Sequence, residues 1–107
     1  PIVLLTGGRD KDLPWDDFAR LVEHKVDHLI LFGEAGPLIA ESIARNTSPE
    51  RKFSLDVYPS LHPAINRAHT LADEGEVIIL APGCTSFDEF KNFEERGSKF
   101  KQWVREL

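Results

Sequence analysis

The sequence predicts one α/β domain: a Rossmann-like, three-layer fold with a four-stranded parallel sheet in the order 4-1-2-3 and helices on both faces. Three observations predict it. Short apolar runs ending in glycine alternate with amphipathic stretches along the whole chain. Three of the four runs are apolar at consecutive positions, the pattern of strands buried on both faces of a parallel sheet covered by helices. The chain has 107 residues, 41% of them apolar, enough for one modest core and hence one domain over residues 1–107.

The strands come first. Ile2–Leu5 leads into Thr6-Gly7-Gly8, Leu29–Phe32 into Gly33, and Val77–Ala81 into Pro82-Gly83. Phe53–Tyr58 differs: Phe53, Leu55 and Val57 alternate with Ser54 and Asp56, which places this strand at an edge. Helices fit between. Asp12 can cap a helix with Pro14 in its first turn, and Phe18, Leu21 and Val22 form its inner stripe. Pro37 opens the second helix, with Leu38, Ile39 and Ile43 inward. Ser60 caps the third, with Leu61, Ala64, Ile65, Ala68 and Ala72 inward and Gly75 beyond its end. Ser86 and Glu89 have capping-box spacing at the start of a fourth helical region, where Phe100, Val104 and Leu107 recur at helical intervals. Gly97 either divides this region in two or sits inside one helix at a cost of ~1 kcal/mol.

Right-handed crossovers wind strands 1, 2 and 3 in one direction and place strand 4 on the other side of strand 1. Strands 1 and 4 then flank the topological switch point, where open α/β sheets bind ligands outside the carboxyl ends of their strands. The loops there are Gly7–Asp12 and Pro82–Asp88.

Composition excludes several classes. A net charge of −5 disfavours nucleic acid as a partner. No apolar run approaches the ~20 residues of a membrane span, and no signal peptide is visible. The single cysteine, Cys84, excludes an internal disulfide or a multi-cysteine metal site and fits a reducing compartment, the cytoplasm. His24 and His28 straddle a helix–strand junction, while His62 and His69 lie two turns apart on one helix; neither pair has metal-ligand spacing. The chain contains no methionine, and Pro1 leads straight into a strand, so an excerpt of a longer protein is expected.

Two stretches could carry chemistry. In Thr6-Gly7-Gly8-Arg9-Asp10-Lys11, paired glycines after a strand let backbone approach a ligand, and Arg9 and Lys11 add positive charge. The loop matches neither common nucleotide fingerprint, so it reads equally as a tight turn with solvated charges. After strand 4, Ser86 at a helix start would set its hydroxyl beside free N–H groups, where a carboxylate can dock; plain capping explains the same residues. Ser86 is not in a nucleophile elbow, and Cys84 has neither a neighbouring His nor a phosphatase loop. No catalytic residue is assigned. Phe87, Phe90, Phe93 and Phe100 read mainly as core, with Phe93 the one best placed to face the mouth.

The run Pro82-Gly83-Cys84-Thr85-Ser86-Phe87-Asp88-Glu89-Phe90-Lys91-Asn92-Phe93-Glu94-Glu95-Arg96-Gly97, followed by Phe100, resembles the signature of the C-terminal domain of the Mur ligases that add D-glutamate. Gly7-Gly8-Arg9-Asp10-Lys11 resembles the same family's Gly-Gly-x-Asp-Lys turn. Sister ligases for other amino acids differ at the last loop. The resemblance implies a three-domain, ATP-dependent amide ligase of bacterial peptidoglycan synthesis, cytoplasmic and monomeric. This chain would be its amino-acid-binding domain, without that domain's first hairpin and helix and without the two upstream domains. It implies that Lys11, Ser86 and Phe93 contact D-glutamate and that Phe87 lines the same pocket. UDP-MurNAc-L-alanine would be bound through the upstream domains, and ATP with Mg2+ mainly by the central one. ATP would phosphorylate the substrate carboxylate before the D-glutamate amine attacks it. The chain departs from the family's Ala-Cys-Ala-Ser in having Gly83-Cys84-Thr85-Ser86, which adds a hydroxyl beside the pocket. The alternative reading is a non-catalytic small-anion-binding or regulatory α/β module.

Overall fold

A computed structural model gives the architecture. It describes residues 2–8, 16–47, 52–72, 75–83 and 89–107. The elements alternate throughout: β1 (Ile2–Gly7), α1 (Asp16–Lys25), β2 (His28–Phe32), α2 (Gly36–Asn46), β3 (Ser54–Tyr58), α3 (Leu61–Leu71), β4 (Val77–Gly83) and α4 (Phe93–Arg105). All strands are parallel, in the order β3-β2-β1-β4, as the alternating pattern and the crossover rule predict.

The two central strands carry both cores. On one face Leu4, Leu29 and Leu31 pack with Ala19 and Val22 of α1 and Ile39 and Ile43 of α2. On the other, Val3, Leu5, Ile30 and Phe32 pack with Leu61, Ala64, Ile65 and Ala68 of α3, joined by Phe100 and Trp103 of α4. Successive strand residues point to opposite faces, so an uninterrupted apolar run is what a strand between two helix layers requires.

The border strands differ from the centre. β3 lies at an edge, as its alternation predicts, with Leu55 packed on the α1–α2 core. Val57 is exposed. The polar position between them is used: Asp56 accepts from Nε of Arg67 on α3 at 3.1 Å. At the other border Ile78 and Leu80 of β4 join the α3–α4 core. Val77 (54% exposed) and Ile79 point the other way and stay open to solvent, although the run reads as buried on both faces. α1 and α2 serve the β1–β2 and β2–β3 crossovers and pack over those strands.

Helix faces depart from expectation at two leucines. Leu21 and Leu38 are exposed, while Ala19 and Val22 in α1 and Ile39 and Ile43 in α2 are fully buried. At 100° per residue a neighbour in sequence turns away from the stripe, and the sheet selects the residues three or four apart. In α3 Leu61, Ala64, Ile65 and Ala68 of the expected stripe are buried, while Ala72 is partly buried at the C-cap. Ser60 occupies the N-cap position but makes no side-chain cap hydrogen bond. Pro63 at the third helical position has no N–H to offer it. Asp12, Pro14 and Ser86 lie outside the described residues.

α4 is one helix that runs through Gly97 without a break. None of its residues is fully buried. Phe100, Val104 and Leu107 do face the sheet, where they line an apolar gap of about 170 Å³ with Leu5, Ile65, Ala68 and Ile78. Trp103 was not in the expected stripe and provides the aromatic contact instead.

Two glycines give opposite predictions. A Cβ added at Gly97 meets nothing within 4 Å. Gly97→Ala should therefore stabilise the chain by about 0.5–1 kcal/mol, the difference between the two residues inside a helix. A Cβ at Gly7 would lie 1.9 Å from the Phe32 carbonyl oxygen. Gly7→Ala should cost roughly 3 kcal/mol or more through strain and overlap. Urea unfolding followed by circular dichroism measures both.

Candidate functional site at the carboxyl edge of the sheet

The switch point lies between β1 and β4, where Gly7 pairs with Gly83 after an irregularity that follows Leu5. Chain leaving β1 and chain leaving β4 therefore start side by side. The first exit is held inward. Gly7 has φ 155° and Gly8 φ 121°, conformations that side chains rarely adopt. The Gly8 N–H donates to the Phe32 carbonyl at 3.2 Å, and the Gly8 carbonyl accepts from Ala35 N–H at 2.7 Å. The double glycine thus joins the β1 exit to the β2–α2 turn. The Gly8 amide, a donor that a phosphate cradle would need, faces the protein.

Of the four expected contact residues, Lys11, Ser86 and Phe87 lie outside the described residues. So do Arg9, Asp10, Cys84 and Thr85. Phe93 is described: it opens α4 and is 69% exposed. Phe90 and Phe100 are partly buried against the α3–α4 core, while Phe93, read with them as mainly core, is the outlying aromatic of the three. An aromatic left in water at a helix start has no packing role and is available to a ligand or another surface.

Local chemistry explains how Phe93 is held there. Asn92 is the N-cap: its Oδ1 accepts from Glu95 N–H at 2.8 Å, and Glu95 Oε1 accepts from Lys91 N–H at 3.2 Å. This reciprocal box escaped the sequence reading, although Asn-x-x-Glu is one of its signatures. Glu89 was expected to form a box with Ser86, which lies outside the described residues, and it also reaches across the fold. Its Oε1 accepts from the Leu61 N–H at the start of α3, at 3.0 Å. Residues 89–92 form turns and bends, and the helix begins only at Phe93. Beside this link the His62 ring stacks on Trp103 at 4.4 Å between centroids, and Phe90 leans on Trp103 at 6.3 Å.

A second feature was not foreseen. An open cleft of about 630 Å³ lies at the carboxyl ends of β2 and β3, lined by Gly33, Glu34, Pro37, Val57, Tyr58, Pro59 and Glu89. Two carboxylates in its lining disfavour an anionic occupant. Glu89 therefore borders both the cleft and the segment that follows β4. No periodic signal could have located the cleft, because its lining comes from three separate stretches of the chain, 33–37, 57–59 and Glu89.

Among the described residues no group of three or more His, Cys, Asp or Glu is placed to hold a metal ion. His28 is engaged with Ser54 Oγ at 2.7 Å and His62 with Trp103. The described residues thus present neither a phosphate cradle nor a metal cage, and no step through ATP or Mg2+ can be built on them. Among the described residues no helix is long and apolar enough to cross a membrane.

No family model matches the chain. Its whole length is nevertheless similar to curated UDP-N-acetylmuramoylalanine--D-glutamate ligases. It is 40% identical over 107 residues to that of Caldanaerobacter subterraneus subsp. tengcongensis. It is 41% identical over 109 residues to that of Symbiobacterium thermophilum, and 38% identical over 109 residues to that of Acetivibrio thermocellus, covering 99% of the chain. The chain spans 23% of the length of each of these relatives.

The contrast between Asn92 and Phe93 can be measured. Asn92→Ala should lower unfolding stability by about 1 kcal/mol through loss of the cap. Phe93→Ala should change it by less than about 0.5 kcal/mol, because the ring is largely in water. A large loss at Phe93 would mean that the ring is packed.

Proposed function

We propose that this chain, which belongs to the UDP-N-acetylmuramoylalanine--D-glutamate ligase family by similarity along its whole length, is the part of such a ligase that holds the incoming D-glutamate. The single observation that carries the proposal is the pairing of Gly7 with Gly83. It sets the two family-like segments, one leading to Lys11 and the other to Ser86 and Phe87, on adjacent strands at the switch point. Lys11 and Ser86 are 75 residues apart in sequence, and the strand order sets side by side the strands from which their segments leave.

D-Glutamate carries two carboxylates and one amine. The Lys11 ammonium offers one carboxylate a charge-assisted partner. Ser86 offers the other a hydroxyl donor, and Phe87 and Phe93 supply apolar walls. The amine, left without a partner in this set, is the nucleophile. It would attack the acyl-phosphate carbon of phosphorylated UDP-MurNAc-L-alanine: the C–N bond forms, the amine gives up a proton, the C–O bond to phosphate breaks, and inorganic phosphate leaves. Both that substrate and the ATP and Mg2+ of the family's reaction are assigned to the domains outside this chain. The contribution of this domain is orientation: holding a nucleophile at attack distance removes part of the entropic barrier. Closure of the domains would bring the amine to the acyl group. A cytoplasmic, monomeric ligase fits the lone cysteine and the acidic balance.

A receiver-like regulatory module would need an acceptor aspartate at the end of the third strand. Asp56 lies in the middle of β3 and pairs with Arg67, not at a strand end facing the mouth. A free anion site at Gly7-Gly8 is disfavoured because the Gly8 amide already bonds to Phe32.

In the full-length ligase, Lys11→Ala should raise KM for D-glutamate about ten- to a hundredfold, the range for losing a bond to a charged group. KM for ATP should stay within about twofold, since uniform ATP binding is untouched. Ser86→Ala should raise KM for D-glutamate by a smaller factor, about three- to tenfold. Steady-state kinetics with each substrate varied in turn gives these values. An unchanged KM for D-glutamate in Lys11→Ala would sink the assignment, and a Ser86→Ala enzyme that is only less heat-stable would reduce Ser86 to a helix cap.

A further inference from the structure

Glu89 links the segment that follows β4 to the start of α3, and this contact does more than cap a helix. Helix α3 begins with an N-cap serine whose side chain makes no cap hydrogen bond, and Pro63 removes a donor that the serine would otherwise use. Its N-terminal Leu61 amide is instead satisfied by a carboxylate 28 residues further along the chain. Oε2 of the same carboxylate is shielded from solvent. A carboxylate at a helix N-terminus bonds a backbone N–H more strongly than a neutral acceptor does, and the helix dipole adds to it. The contact therefore fixes Glu89, not merely Leu61.

Adjacent contacts fix the same stretch. Phe90 leans on Trp103, which stacks face to face on His62, the residue after Leu61. Lys91 N–H and the Asn92 side chain are both tied to Glu95. The stretch Glu89–Asn92 is thus anchored to α3 and α4 together, immediately before the exposed Phe93. At its other side, Gly83 is held by pairing with Gly7. Only five residues, 84 to 88, separate Gly83 from Glu89.

We infer that Glu89 is a positioning residue for the amino-acid site: by bonding the start of α3 it sets where the stretch after β4 ends and where Phe93 is presented. This rests on the D-glutamate reading above and adds a residue that touches no substrate. The local sequence marks Glu89 only as a capping-box residue, and its bond to Leu61, on another helix, has no local signal.

The test uses the full-length ligase and three variants. Glu89→Ala should raise KM for D-glutamate about ten- to a hundredfold, the scale expected when a contact group is misplaced by about 1 Å. KM for ATP should remain within about twofold. Glu89→Gln keeps an oxygen acceptor for the Leu61 amide and should return KM for D-glutamate to within about threefold of the parent. The double variant Glu89→Ala, Ser60→Asp separates positioning from stability. An aspartate at the N-cap stabilises α3 locally through its own charge without tying it to the far segment. The double variant should regain the parent's melting temperature yet keep the raised KM. If its KM returns to the parent value together with its melting temperature, Glu89 is a helix cap only and the inference is overturned. If Glu89→Ala leaves KM unchanged while Lys11→Ala raises it, the inference falls and the D-glutamate reading stands. If neither substitution changes KM, both fall.

Discussion

The fold turns on how closely β1 approaches β2 at its carboxyl end. The Phe32 carbonyl occupies the space that a Cβ on residue 7 would need, so only glycine lets the strand leave the sheet along that path. Gly8 then bonds the β2–α2 turn in both directions, through its N–H to Phe32 and its carbonyl to Ala35. The exit of β1 is thereby drawn against β2 and fixed, while its other flank meets β4 at Gly83. The same constraint explains why two glycines that could cradle a phosphate do not do so: their polar groups are engaged in joining two loops.

From that junction the packing grades outward. The central strands are sealed by helices on both faces, and their side chains are fully buried from Leu29 to Phe32. Each border strand is covered less completely, and α4 buries no residue fully. Where apolar burial is thin, directed contacts take over: Asp56 with Arg67 at one border, and the Glu89, Asn92 and Trp103 contacts at the other. Such contacts specify geometry more than they add stability, since an exposed ion pair contributes about 0–1 kcal/mol. The proposed amino-acid site lies at this thinly buried end. A site completed by another domain must remain open on one side, so the precision of its residues has to come from hydrogen bonds and ring contacts and not from enclosure.

The order of the strands, the two helix layers and the buried stripe of α3 were all legible in the residues, because hydrophobic period and chain connectivity are local properties and the crossover rule does the rest. Leu21, Leu38, Val57, Val77 and Ile79 were not, since the residues are apolar whichever way they point and only the neighbouring elements decide what is covered. Whether Gly97 interrupts α4 was open by propensity alone. The Asn92–Glu95 box placed the helix start at Phe93, and Phe100 and Trp103 held the continuation against α3.

By itself, then, the sequence determined an α/β chain with its two chemistry-bearing segments at the ends of strands 1 and 4, because period, punctuation and handedness act at short range. Tertiary structure alone decided that the double glycine joins two turns, that Ser60 makes no side-chain cap bond, and that Glu89 satisfies α3 from a distance. Those outcomes depend on which backbone groups are left without partners once the sheet has closed. A hydrogen bond between residues 61 and 89 has no trace in the local pattern of either.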